Sequence, residues 1–249
     1  WSFSGDLGIV DQKEIHKTIE FAIENKLHRF DTAPSYNNGK VDKLLSKYKK
    51  NILVNTKCGY NFEGVKTFKL SDIEKSLEYS LKLFHKINIL FLHSPRVEIK
   101  DWDRVISLLD NFKKMKLIKS TGISIARDHY FPKSIMNKFD FIQDEINLLR
   151  LQNIKKIKKY KCKLIARSPL ANGLIKNGIN SKTKFLKNDY RKHWCKGERF
   201  KNILNQLKQI KKIYNGDISN FAQLYLLQNK SIEHINFGVK NTKQVEKLL

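Results

Sequence analysis

Three cysteines in 249 residues, Cys58, Cys162 and Cys195, are too few and too uneven in number to form a disulfide framework. That scarcity fits a reducing compartment, and a cytoplasmic protein is expected. No two of them have the close spacing of a zinc site, so no metal is expected. Only four prolines and no Gly/Ser-rich run occur. Nothing therefore serves as a linker, and the chain reads as one domain over residues 1–249, a length that a single core commonly reaches. No apolar run approaches the roughly 20 residues needed to span a bilayer, and no membrane partner is expected. There is no secretory signal, although the chain opens on Trp1 rather than Met; a removed leader stays open.

Acidic residues are scarce too: 24 Asp and Glu face 49 Lys and Arg, a net charge of +25. Charge alone would suggest nucleic acid or an anionic surface as partner. The distribution points the other way. Lysines are scattered over nearly every expected helix instead of forming one block, and the abundance of Asn and Ile is what AT-rich coding produces. Solvated surface is the reading, and nucleic acid is not an expected partner. The field still favours phosphorylated small molecules. Nothing in the pattern fixes an oligomeric state.

What the chain does contain is a regular alternation of short apolar runs and longer amphipathic ones. Strands are expected over His28–Ala33, Ile52–Lys57, Asn88–Ser94, Ser120–Ile125, Phe141–Ile146, Lys163–Pro169 and Ile235–Val239. Helical spacing of apolar residues marks Glu14–Asn25, Ser71–His85, Trp102–Met115, Ile203–Tyr214 and Ser219–Gln228. Ser71 with Glu74 three residues on has the form of a capping box. Strands alternating with helices imply a parallel sheet, either doubly wound or closed. The near-constant spacing of the units favours a single-domain (β/α)8 barrel, with an eighth strand straddling or preceding Trp1. Residues 170–197 are long, polar and aperiodic, as a binding loop over the C-terminal face would be.

In such a barrel the functional groups stand at the C-terminal ends of the strands. Those ends read Asp31, Lys57 and His93, with Tyr36 on the loop leaving the first. Each has an ordinary alternative: a turn aspartate, a surface lysine, a loop histidine, a packing tyrosine. Together their chemistry is coherent. A phenol with a pKa near 10 is a poor acid near neutrality, and a nearby ammonium lowers that value. A carboxylate holds the ammonium, and a neutral imidazole orients a carbonyl oxygen.

The segment Phe30-Asp31-Thr32-Ala33-Pro34-Ser35-Tyr36-Asn37-Asn38-Gly39 resembles the aldo-keto reductase signature, in which Asp-Thr-Ala leads to the catalytic Tyr. Asn55-Thr56-Lys57-Cys58-Gly59 is similar to the segment carrying that family's catalytic Lys, and Leu92-His93-Ser94-Pro95 to the one carrying its His. The resemblance runs on through nearly the whole chain. It implies that Ser124, in Ser120-Thr121-Gly122-Ile123-Ser124, and Gln143, in Ile142–Asn147, hold a nicotinamide amide. It implies that Ser168 and Leu170, in Ser168–Leu174, lie near the cofactor. It also implies that Gly238, Lys240 and Gln244 receive the adenosine phosphate, where a helix N-terminus offers free N–H groups and Lys240 favours NADP over NAD. Trp1, Tyr36 and His93 would face a small-molecule carbonyl substrate.

The implied activity is NADPH-dependent reduction of an aldehyde, ketone or keto-sugar, an oxidoreductase reaction in which Tyr36 gives the proton. Departures from the family pattern keep a second reading open, a non-catalytic NADP-binding regulatory or partner subunit. Asn37 replaces a usual Gly, and Ile125 a usual Asn. Arg167 stands where an aromatic residue usually stacks on the nicotinamide; its planar guanidinium would have to stack instead. Lys247 and Leu248 replace an acidic-then-Asn pair. In the long segment Asp189 and Arg191 are expected to form a solvated loop salt bridge.

Overall fold

The computed structural model describes residues 2–8, 10–61, 64–95, 99–126, 128–176, 178–187 and 189–249. Helices and strands alternate along them: α1 (Gln12–Glu24), β1 (Arg29–Asp31), α2 (Lys40–Ser46), β2 (Leu53–Cys58), α3 (Leu70–Phe84), β3 (Ile87–His93), α4 (Trp102–Lys114) and β4 (Ile118–Ser124). Then come α5 (Lys133–Met136), β5 (Phe141–Glu145), α6 (Gln152–Ile157), β6 (Lys163–Arg167), α7 (Gly197–Ile213), α8 (Ile218–Leu227), β7 (Ile232–Asn236) and α9 (Thr242–Glu246). Among the described residues seven strands lie in sequence order, every neighbouring pair parallel. They form a nearly closed barrel with helices outside, the (β/α)8 architecture.

β1 and β7 are the two edges of the sheet. One side-chain pair spans that seam, Arg29 Nη1 lying 2.6 Å from His234 Nε2, and the His234 ring also stacks on Phe141 of β5 at 6.3 Å. The eighth strand does not begin within residues 2–8, where Ser2–Ser4 forms a 3-10 turn. Trp1 lies outside the described residues.

Period-two alternation divides each strand between interior and exterior. Ile89, Phe91 and Ile165 fill the barrel with Phe141 against them. Leu90, Leu92, Ile123, Ile142 and Leu164 face outward to the helices. Ile15 and Ile19 of α1 close on Val41 and Leu45 of α2 and on Val54. Each such side chain removed from water contributes roughly 1.5–3 kcal/mol.

Three local expectations are corrected. The last strand starts at Ile232, not Ile235, and stops at Asn236. Ile232 and His234 pair with β6 across a register shift, and the chain turns at Gly238 toward α9. The fourth expected helix begins at Gly197, six residues before Ile203. The capping box does not form. The N-cap of α3 is Lys69 without a side-chain bond, so Ser71 already lies inside the first turn, where Asp72 is held by the Thr67 hydroxyl at 2.5 Å.

Candidate active site

Six consecutive strands build the site, five of them from their C-terminal ends. Asp31 closes β1, Lys57 is next to last in β2, His93 closes β3, Ser124 closes β4, Gln143 is central in β5 and Arg167 closes β6. The parallel register sets their heights, with Lys57 beside Phe91, His93 beside Ser124, and Ser124 beside Gln143. The chain leaves β1 through Thr32, Ala33 and Pro34, all buried, and Tyr36 follows.

The structure brings the four expected groups together. The Lys57 ammonium, almost wholly buried, is ion-paired to Asp31 Oδ1 and donates to the Thr32 carbonyl at 2.8 Å. It stands 4.9 Å from the centre of the Tyr36 ring. The His93 ring meets Tyr36 edge-on at 5.9 Å, with the planes 87° apart. Gln143 Nε2 donates to the second Asp31 oxygen at 2.8 Å, and Ser124 Oγ donates to Gln143 Oε1 at 2.9 Å. Asp31 is thus held on both oxygens, by the lysine and by the glutamine.

Burial and charge set the protonation states. Burial works to lower the Lys57 pKa, but Asp31 and then Tyr36 overcome it, and the net direction is up. Lys57 is a fixed cation. For Tyr36, burial raises the pKa and Lys57 lowers it, with Asp31 raising it again; the net direction is up. This differs from the sequence expectation of a lowered value. In a buried pocket the cost of desolvating a phenolate exceeds what one ammonium returns, so Tyr36 rests as a phenol, the form that can give a proton. Burial, then Lys57, Arg167 and Lys66, holds His93 well below the usual histidine range, so its ring is neutral.

Several neighbours were not singled out from the sequence. Tyr60 packs on His93 at 4.7 Å, and Lys66, bridged to Tyr60 across the loop after β2, donates to the Ser94 carbonyl at 2.8 Å. Asn147 donates to the Ser168 carbonyl at 3.1 Å, fixing a residue with φ of 52°. Arg167, which the sequence did single out, has its Nη2 anchored on the Ile125 carbonyl at 2.9 Å. Thr32 donates from its hydroxyl to Asp42, a fully buried carboxyl in the first turn of α2. Only Asp42 carries a signal of its own: an acid one residue from Val41 and three from Leu45 shares their apolar helix face.

The C-terminal motif forms a second group, away from the tetrad in sequence. Lys240 N donates to Gln244 Oε1 at 2.9 Å, and the Lys240 ammonium donates to the Leu7 carbonyl at 2.5 Å. A Cβ at Gly238 would meet the Ser2 hydroxyl, which could rotate away, so the first turn of the chain lies against this motif. Leu170 packs not at the tetrad but with the outer cluster around Leu174 and Phe200. Asp189 and Arg191 do pair, at 2.6 Å, but their side chains are only 3% and 16% exposed. The expected solvated bridge is a buried clamp, since Arg191 also donates to the Asn172 carbonyl at 3.0 Å while Tyr190 N donates to the Asp6 carbonyl at 2.8 Å. Among the described residues no cluster suits a metal ion, and no helix is long and apolar enough to cross a membrane.

Comparison with known proteins gives the family and the fold. The Aldo/keto reductase family model matches residues 1–249. Aldo-keto reductase YhdN of Bacillus subtilis is 24% identical over 272 residues, covering 100% of this chain and 82% of its own. Among solved structures, the glycerol dehydrogenase AKR11B4 from Gluconobacter oxydans superposes with a TM-score of 0.78 at 21% identity, over 100% of this chain and 83% of its own. The aldo-keto reductase AKR11C1 from Bacillus halodurans, in its holo form, gives 0.76 at 20% identity, over 98% and 82%.

Proposed function

The chain belongs to the aldo/keto reductase family, and from that premise we propose that it is an NADPH-dependent reductase of a small-molecule aldehyde, ketone or keto-sugar. The observation that carries the reading is the assembly of buried Lys57 with half-buried Asp31, Tyr36 and His93 at the mouth of the barrel. NADPH, when bound, supplies hydride to the carbonyl carbon. Tyr36 donates its hydroxyl proton to the carbonyl oxygen, so that C=O becomes CH–OH. The Lys57 cation stabilises the phenolate left on Tyr36, Asp31 keeps Lys57 charged and in place, and neutral His93 donates a hydrogen bond that orients the oxygen.

The residues present suit the dinucleotide. Ser124 and Gln143 each keep hydrogen-bonding capacity beyond the bonds they make, enough for a carboxamide. Asn236 Nδ2, level with Arg167 across the last strand pair, is buried and has no hydrogen-bond partner among the described residues. Arg167 offers a planar cation, with Ser168 and Leu170 on the loop that follows. Gly238, Lys240 and Gln244 would take the adenosine phosphate, Lys240 with two N–H donors left after Leu7. Residues 170–197, anchored by the Asp189–Arg191 clamp, would cover this C-terminal face. The three free cysteines accord with a reducing cytoplasm.

The test is a titration with NADPH and with NADH followed by nicotinamide fluorescence, then turnover of a carbonyl panel by the unmutated protein and by Tyr36→Phe. Tight NADPH binding retained in Tyr36→Phe, with turnover nearly abolished, is expected. Equal turnover in the variant would remove the role given to Tyr36. Cofactor binding without turnover on any carbonyl would favour the non-catalytic subunit.

A further inference from the structure

Next to the tetrad, one residue beyond Lys57, lies a second carboxyl group that the proposed reaction does not use. Asp42 is completely buried, as is Thr32. The Thr32 hydroxyl donates to Asp42 Oδ1, while the carbonyl of the same residue accepts from the Lys57 ammonium at 2.8 Å. One residue thus connects Asp42 to Lys57, through its side chain on one end and its backbone on the other. Asp42 Oδ2 is buried with no hydrogen-bond partner among the described residues. An anion is costly there, whereas a protonated carboxyl leaves only a neutral O–H unmatched.

We propose that Asp42 is a positioning residue of the site, a buried carboxyl group that sets Thr32 against Lys57 and, by gaining or losing one proton, changes how much of the Lys57 charge is left for Tyr36. The effect on turnover rests on the reductase reading; the link from Asp42 to Lys57 does not. Among the described residues, the groups that act on Asp42 include Lys57 on β2, Asp31 on β1, and Thr32 on the turn after it. A fourth, Tyr79 on α3, feels Asp42 in return and donates to the Gly39 carbonyl at 3.3 Å, at the start of α2. Burial raises the Asp42 pKa to about 6 against the lowering pull of Thr32 and Lys57. Below that pH, Lys57 faces one anion, Asp31. Above it, two anions share the one ammonium, and the phenolate that forms on Tyr36 receives less support.

Two measurements test this on the whole protein. In the cofactor-free protein with carbon-13-labelled aspartate carboxyls and labelled lysine ammonium groups, one aspartate is expected to titrate near pH 6 and the Lys57 resonance to follow it. Both changes should vanish in Asp42→Asn. In steady-state reduction, kcat should fall about fivefold as pH rises through this region, the scale of one partly screened charge added near the ammonium. KM for the carbonyl should hold, and Asp42→Asn should keep the acid-side kcat throughout. Thr32→Val, which keeps the acid but removes the hydroxyl that lowers its pKa, should move both transitions to higher pH; it serves equally if Asp42→Asn does not fold. A Lys57 resonance indifferent to Asp42, or a kcat step that persists unshifted in these variants, overturns the proposal. A Lys57 resonance that follows Asp42 in a protein with no carbonyl turnover would instead refute the reductase reading and leave the linkage standing.

Discussion

Gly122 offers a test of how the barrel interior is packed. It lies in the middle of β4, between Phe91 of β3 and Phe141 of β5. A methyl group there would run into the ring of Phe91, and would also come 3.2 Å from the Phe141 carbonyl, which backbone hydrogen bonding holds in place. Phe91 is 0% exposed and packed with Ile89 and Ile165, so its ring has nowhere open to go. Forcing a methyl into a filled core costs about 1–3 kcal/mol. Against that, alanine regains about 0.5–1 kcal/mol of the entropy that glycine loses on entering a strand. Taking the middle of each range, Gly122→Ala should therefore destabilise the fold by about 1 kcal/mol, a fall in Tm of roughly 2–4 °C for a domain of this size. Urea unfolding of Gly122→Ala, Phe91→Leu and the double variant would read it. The smaller leucine side chain makes room for the methyl, so the double variant should be more stable than the sum of the single effects by about 1 kcal/mol or more. Gly122→Ala as stable as the parent, or strict additivity with Phe91→Leu, would refute the packing argument.

Four further outcomes are expected. Asp42 has a folded pKa of about 6 against an ordinary 3.8; raised this way, it favours the fold at acid pH and loses that contribution as pH climbs through about 6. The full effect is about 3 kcal/mol, so the stability difference between Asp42→Asn and parent should shift toward the variant from pH 4 to pH 8, and a pH-independent difference would count against it. Arg191→Leu strands the buried Asp189 and should cost about 3 kcal/mol or more in urea unfolding, far above the change for an exposed pair such as Arg104→Leu beside Asp101. Lys240→Ala should narrow the NADPH-over-NADH affinity ratio about tenfold in the fluorescence titration, by loss of one charge-assisted contact, and an unchanged ratio would assign the phosphate to other residues. Burial raises the Cys58 thiol to about 12, so Cys58 should resist thiol reagents in the native protein at neutral pH and react only on unfolding; rapid native labelling there would contradict its burial.

The strands were legible because each carries an outward apolar row, such as Leu90 and Leu92 of β3, and in β3 the interior Ile89 and Phe91 are apolar as well, giving the dense run Ile87–Leu92. The last strand reads three residues late for the opposite reason. Ser231-Ile232-Glu233-His234 has a single aliphatic residue, and as an edge strand it has no fully buried position, so its first part looks like a turn. Short helices such as α5 and α6 carry too few residues for a 3.6-residue period to emerge. The start of α3 shows a different limit: Ser71 and Glu74 satisfy a local capping pattern, but the helix is capped two residues earlier, at Lys69, with Thr67 holding Asp72 in its first turn.

The tetrad was legible because its members sit at strand ends, where sequence order converts directly into adjacency around the barrel. Their electrostatics were not. Sequence supplies the ammonium beside the phenol and so predicts a lowered Tyr36 pKa; only burial, which depends on everything packed around Tyr36, reverses the sign. The same dependence hides Gln143. Its family role points to the nicotinamide, yet its amide also braces Asp31 from a strand 112 residues away, a bond that no local pattern encodes. Asp42 stands between these cases. An acid on the apolar face of α2 is a local conflict that sequence can register, and conflicts of that kind persist where another requirement outweighs them. Here the requirement lies across the loop, at the Thr32 carbonyl and the lysine it holds.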